Sequence, residues 1–314
     1  MSHFRRLCSI AALAALWACA QGGNSPALPS QPSARARGAA APAEYRILAY
    51  TYHVMPLRSD GRGASVRAGS LIYPDDLTNY GGPVMKTAVA HNVYVNCPAK
   101  NESCWGAPEE FQKGLQGSAY AAILTQYTGS PPSAYSFGDS TAVAFTVFRG
   151  VALYENDLFS IIHQVAAKLR KGGYTDIYHV FLPEGTDTCI DFTKECYSPD
   201  YRRTFNFCAY HGTVKFSDLG LIVYSIEPYQ DVSFCATKKS SGASGVTNST
   251  ISTLAHETFE SISDPGPKLA WYNYVGGEMA DECEFFVSTV KVGGIAYDTQ
   301  PMYSNKYHAC ATGP

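Results

Sequence analysis

The sequence predicts an α+β domain braced by disulfides, with a mixed sheet, one long amphipathic helix and a second helix that carries metal-ligand residues. Three observations lead there. Strand-length runs of β-branched and aromatic residues alternate with segments of helical periodicity. Eight cysteines lie beyond the N-terminal leader, an even number in a chain that carries an export signal. The run His256-Glu257-Thr258-Phe259-Glu260 places histidine and glutamate one helical turn apart on one face.

The leader comes first. Arg5 and Arg6 precede an apolar run, Leu7 to Ala18, too short for a permanent bilayer span. Leu16-Trp17-Ala18-Cys19 resembles the bacterial lipobox, in which the cysteine is lipid-modified after cleavage; cleavage at a small-x-small site is the alternative. Residues 1–19 are therefore read as a signal peptide. Residues 20–44, rich in Ala, Pro, Ser and Gly, are read as a tether with too little apolar surface to order itself. Residues 45–314 suit one domain with a full core.

Within that domain, Tyr45 to Val54 and Thr87 to Val95 read as strands, and Pro108 to Leu115 as a helix with proline in its first turn. Leu124 to Tyr127 and Ala142 to Phe148 read as extended segments around the loop Ser130-Pro131-Pro132-Ser133. Leu158, Ile161, Ile162, Val165, Ala166 and Leu169 recur at helical spacing, and Arg170-Lys171-Gly172-Gly173 closes that helix. Ile177 to Leu182 and Leu221 to Ile226 read as buried strands. Lys239 to Ser249 reads as a Ser/Gly loop leading into the motif helix, which Pro265 ends.

The 24 Lys and Arg residues stand against 27 Asp and Glu, and removing Arg5 and Arg6 with the leader makes the net charge −5. That balance offers no attraction to nucleic acid or an anionic membrane, so any membrane association is expected to come from the N-terminal lipid anchor alone. Eight cysteines allow 105 pairings. The sequence-local choice is 97–104, 189–196, 208–235 and 283–310; with no C-x-x-C pair, a cysteine zinc site is disfavoured.

The chemistry rests on the motif helix. H-E-x-x-H is the ligand–base–ligand pattern of zinc proteases, and here a glutamate stands in the second ligand position. His256 and Glu260 are expected to grip Zn2+, while Glu257, off that geometry, is left to deprotonate a water. A catalytic zinc takes three protein ligands and one open position. Glu278, eighteen residues after Glu260, lies near the spacing at which thermolysin-type and aminopeptidase-type enzymes place their third ligand. Asp281 is either a support for a ligand or, with Glu278 exchanging roles, the ligand itself. A zincin-like order of elements, long helix, strand, then motif helix, agrees with this. The donor set is oxygen-rich, so Ca2+ is the other candidate ion.

Several segments occur in one order: Gly81-Gly82-Pro83-Val84-Met85, Tyr178-His179-Val180-Phe181-Leu182-Pro183-Glu184-Gly185-Thr186, Phe207-Cys208-Ala209-Tyr210-His211, His256 to Pro265, Ala270-Trp271-Tyr272, Gly277-Glu278-Met279-Ala280-Asp281-Glu282-Cys283 and Tyr303-Ser304-Asn305. Together they resemble the EXORDIUM-like, phosphate-induced protein family of plants and its bacterial and fungal relatives, from about residue 80 to 310. Ser263 stands where threonine is common in that family, and Met279-Ala280 stand for Ile-Gly. The resemblance implies a secreted or wall-associated protein with a metalloprotease-like site. It also singles out His211, as an extra ligand or a transition-state donor, against a structural histidine beside a disulfide.

His53, His91, His163, His179 and His308 have no partner pattern and are read as structural. Trp271 and Tyr272 fit a cleft wall or core packing equally. Asn101 and Asn248 sit in glycosylation sequons. The resulting expectation is a zinc-dependent peptidase acting on protein or peptide outside the cytoplasm; the alternative is a wall-associated binding protein with a structural metal.

Overall fold

The structure, a computed structural model, describes residues 45–57, 76–97, 102–146, 152–190, 195–237, 242–284 and 286–314. Residues 1–44, read above as signal peptide and tether, and Asn101 lie outside the described residues. Tyr45–Pro314 forms one compact unit.

Its frame is a six-stranded sheet built from β1 (Ile47–Pro56), β2 (Ala88–Val95), β3 (Tyr135–Val143), β4 (Gly173–Phe181), β5 (Phe207–Phe216) and β6 (Gly220–Glu227), in the order β1-β5-β6-β4-β2-β3. β6, β4, β2 and β3 pair in parallel, while β5 runs antiparallel to both β6 and β1, so the sheet is mixed. The fold is α+β, as expected. Helix α1 (Pro108–Leu115) begins and ends where the sequence places it, and α2 (Glu155–Leu169) starts one turn before the first apolar repeat because Asp157 caps the backbone of Tyr154. Helix α3 (Gly245–Ser263) carries the motif. A hairpin of β7 (Ser288–Val292) and β8 (Ile295–Thr299) follows it.

The two faces of the sheet differ. On one, Val93, Val95, Tyr178, Val180, Tyr224 and Ile226 pack against Leu158, Phe159, Ile162 and Val165 of α2. Each such side chain contributes roughly 1.5–3 kcal/mol when fully buried. On the other, Ile177, Phe181 and Val223 meet Leu254, Ala255, Phe259 and Ile262 of α3, but a polar row runs through the middle. Register pairs Asn92 with His179, His179 with Ser225, Ser225 with His211, and His211 with His53, so five polar residues line up across five strands. Directly paired residues share a face, and this row faces α3.

Helix α3 is longer than the sequence predicts, because its first turn lies inside the expected Ser/Gly loop. Ser244 Oγ accepts from the Thr247 amide at 3.2 Å and caps the start. From Thr247 onward every residue is buried, so the small Ser and Thr side chains are packing choices rather than loop signals. The helix stops at Ser263, with Asp264 and Pro265 beyond it. Asn248 is buried, holding Ala243 O and the Asp298 amide, which removes it as a glycan acceptor.

Three further expectations are corrected. Leu124 to Tyr127 is helical, not extended: Ser118 caps Ala121 at 3.1 Å, Leu124 and Tyr127 point into the core, and Gly129 at φ 71° closes the turn. The strand expected at Ala142 to Phe148 begins at Tyr135 and ends at Val143, and residues 147 and 148 lie outside the described residues. β5 has no counterpart in the sequence reading, since burial on both faces erases its alternation. The four sequence-local cysteine pairs are all within bonding distance, and Cys208–Cys235 anchors β5 to the segment after β6.

Gly212 tests the fit of the edge strand. A Cβ there would lie 1.9 Å from Thr51 O, a backbone atom of β1. Gly212→Ala is expected to lower stability by about 3 kcal/mol, the upper end of ordinary overpacking, and to speed amide exchange selectively in β1. Unchanged protection of residues 47–56 would show that β1 does not pack as described.

Candidate metal centre

Four parts of the chain converge where the polar row meets α3. The helix presents His256, Glu257 and Glu260 on its sheet-facing side, with Asp264 just beyond its end. β5 supplies His211, and the edge strand β1 supplies His53. The return segment after the helix brings Tyr272, Glu278 and Asp281, and the turn after β8 brings Gln300.

His256 Nε2 lies 3.0 Å from Glu260 Oε2 and 3.6 Å from Asp281 Oδ1, while its Nδ1 is 3.2 Å from Gln300 Oε1. Gln300 thus takes the orienting position at the ring's other nitrogen, and Asp281 stands on the ligand side beside Glu260. Glu260 Oε1 accepts the amides of Ala280 and Asp281 at 3.1 and 3.0 Å, which leaves Oε2 facing the histidines. His211 Nδ1 is 3.0 Å from Glu257 Oε2 and 3.7 Å from Glu260 Oε2; its Nε2 is 3.7 Å from Glu278 Oε2. His53 Nδ1 is 3.2 Å from Glu278 Oε2, and its Nε2 is 3.1 Å from the Tyr272 hydroxyl, which also donates to Asp264.

Ligand atoms here fall into three sets, each mutually within 4.8 Å: His256, Glu257 and Glu260; His211, Glu260 and Glu278; His53, Asp264 and Glu278. No set holds both His256 and Glu278; Glu278 meets His211 and His53 instead. His256 Nε2, His211 Nε2, Glu257 Oε1 and both oxygens of Glu278 are buried without a hydrogen-bond partner. Orphaned buried polar atoms are rare, each costing about 1–3 kcal/mol, so five in one cluster mark a place for a ligand. His53 and Asp281, 38% and 30% exposed at the side chain, open the cluster to solvent.

The electrostatics have the same origin. Burial raises Glu257 and Glu278 well above the usual carboxylate range, and neighbouring acids add to it. Burial and Asp281 push Glu260 up to about 7, against the pull of His256. Glu227, buried beside Ser225, is pushed up to about 8 by burial. Burial lowers His211 well below its ordinary value, helped by His53 and His256, and lowers His53 as well. For His256 burial also acts downward, but Glu260, Glu257 and Asp281 outweigh it and raise the group.

The structure brings the motif residues His256, Glu257 and Glu260 together with Glu278, Asp281 and His211. It also recruits residues the sequence reading passed over. His53, read as structural, joins through the β1–β5 register, a pairing across more than 150 residues that leaves no local signal. Asp264 comes from just beyond the end of the motif helix and Gln300 from the turn after β8. Tyr272 is buried with its hydroxyl in the cluster, whereas Trp271 is anchored to Tyr127 O through its indole nitrogen. His163 and His308 pair with Asp218 and Asp76 away from the cluster, and His91 with Asp176.

No family model, no curated protein and no solved structure matches this chain. Among the described residues no helix is long and apolar enough to cross a membrane, and the four disulfides fit an oxidising compartment.

The pKa directions predict how the metal-free protein responds to pH. Glu260 and Glu227 have folded-state values above their unfolded 4.5, so their stabilisation is lost as pH rises through about 7 and 8. His211 and His53 are lowered, so their contribution is complete above 6.5 and does not oppose the fall there. Chelator-treated protein should therefore melt at a lower temperature at pH 8 than at pH 6.5. A rise over that window in a thermal scan would contradict the assignment.

Proposed function

We propose that the protein is an exported, zinc-dependent hydrolase of the zincin-like kind, acting on peptide bonds outside the cytoplasm. The observation that carries this reading is the convergence of buried, partnerless imidazole and carboxylate atoms on an H-E-x-x-E helix, with two members reaching solvent. The donors fit the ion: imidazole nitrogens with carboxylate oxygens suit zinc, and three histidines make calcium the poorer occupant. His256 and Glu260 would hold it, completed by Glu278 or Asp281, with His211 in reach. Bound there, zinc supplies Lewis-acid polarisation of the scissile carbonyl and acidifies water.

The chain's own residues supply the rest. Glu257 takes a proton from the attacking water and returns it to the leaving amine as the C–N bond breaks. His211, 3.0 Å from Glu257 Oε2, holds that carboxylate in place. Gln300 fixes the His256 tautomer that leaves Nε2 free for the ion. The leader, the Cys19 lipid anchor and the resemblance to the EXORDIUM-like family belong to the same proposal, and the disulfides support an extracellular location.

One observation favours a second reading. Glu257 is fully buried and already engaged by His211, whereas a working base must meet a water. A wall-associated binding protein braced by a structural metal accounts for that burial.

Metal analysis of the purified protein and a peptidase assay separate these readings. Bound zinc is expected, and Glu257→Gln should keep the metal while losing about 10²–10⁴-fold in hydrolysis. Zinc present with no peptidase activity in the wild type supports the binder. A properly folded protein that takes up no divalent metal ends both.

Zinc affinity should also rise steeply with pH between 5.5 and 7.5, because protons on Glu260 and its neighbours compete with the cation. A flat affinity measured by competition with a chromogenic chelator would remove these carboxylates from the ligand set.

A further inference from the structure

We infer that the centre is built for two divalent cations, with Glu278 as the ligand they share; this rests on the metal-site reading above and extends it. The first position is His211 with Glu260 and Glu278, and His256 Nε2 lies 3.0 Å from Glu260 Oε2 beside it. The second is His53 with Asp264 and Glu278, a set no residue of which belongs to the motif set His256, Glu257 and Glu260. The motif set meets the first position at Glu260, and Glu278 alone is common to the two cation positions.

Glu278 is the hinge of the argument. It is 1% exposed, both its oxygens lack a hydrogen-bond partner, and its Oε2 lies 3.2 Å from His53 Nδ1 and 3.7 Å from His211 Nε2. A carboxylate bound to one ion through a single oxygen would leave the other oxygen without a partner; one bridging two ions would engage both. Its neighbours are already oriented for this. Tyr272 donates to Asp264 and accepts from His53 Nε2–H, so the tautomer with a bare Nδ1 faces Glu278.

Charge makes the same demand. Glu257, Glu260, Asp264, Glu278 and Asp281 place five carboxylates in one cluster without a Lys or Arg ion pair among them. Fully ionised, the five carry five negative charges, of which one dication would offset two and two dications four. Buried charge that is neither paired nor metal-bound is strongly disfavoured. The second position lies on the side of His53, 38% exposed, so it is the one that solvent and substrate reach first.

The test is zinc stoichiometry by plasma mass spectrometry on the intact protein after equilibration with zinc and gel filtration, paired with cobalt substitution and electron paramagnetic resonance. Two equivalents are expected, with exchange-coupled cobalt signals. His53→Ala, at a partly exposed edge position, should retain one equivalent and lose the coupling, and the second affinity should fall at least roughly tenfold. Asp264→Asn should do the same; if it fails to fold, His53→Ala and the wild-type cobalt spectrum decide the matter. One equivalent in the wild type, or two in His53→Ala, overturns the two-ion assignment and leaves the single-metal reading standing. No bound metal overturns both.

Discussion

The constraint on which the rest of this structure depends is the burial of like charges. Glu257, Glu260, Asp264 and Glu278 lie between one helix and one sheet face, each at most 2% exposed. Two unit charges 4 Å apart repel by about 4 kcal/mol at the effective dielectric of a protein, and desolvating each carboxylate adds several more. Glu260 and Asp264 also sit at the carboxyl end of α3, where the helix macrodipole is negative and no basic residue offsets it. Local rules for a stable helix are broken at each of these positions. Such breaches concentrate where a protein binds something.

The fold meets this constraint through the inequality of its two sheet faces. The α2 side is an ordinary apolar interface, with Phe159, Ile162 and Val165 seated on Tyr178, Val180 and Tyr224. That side provides the stability, and it frees the other side to carry Asn92, His179, Ser225, His211 and His53 in register. Away from the metal-ligand cluster the polar row is partly satisfied: His179 bonds Ser225 at 2.8 Å, Ser225 bonds Glu227 at 2.7 Å, and Asn92 pairs with Gln112, while His179 Nε2 and Glu227 Oε2 have no hydrogen-bond partner.

What was legible in the sequence follows the range of the interaction concerned. α1 and α2 were readable because proline, caps and apolar period are local. His256, Glu257 and Glu260 were readable because one helical turn brings them together. The cysteine pairs were readable because each closes a short loop. β5 was not, since a strand buried on both faces shows no alternation, and His53 was not, since only its pairing with β5 gives it a role. The misreading of Leu124 to Tyr127 runs in the other direction: four residues, Leu-Thr-Gln-Tyr, are too few to show a period and fit a strand or a helical turn equally, and Ser118 and Gly129 decide it.

The chain order of these parts carries a last consequence. The ligands of the proposed second cation come from opposite ends of the domain: His53 from its first strand, and Asp264 and Glu278 from the segment that follows its last long helix. β1 sits at the edge of the sheet, joined to β5 alone, so its departure would cost fewer contacts than the loss of any inner strand. The motif helix by contrast is packed on the core throughout its length. The two cation positions therefore differ in mechanical support, the first held by the helix and its amide contacts to Glu260, the second closed by an edge strand. A cation at the second position would tie that strand to Asp264 and Glu278, so that metal binding and the docking of β1 are one equilibrium rather than two.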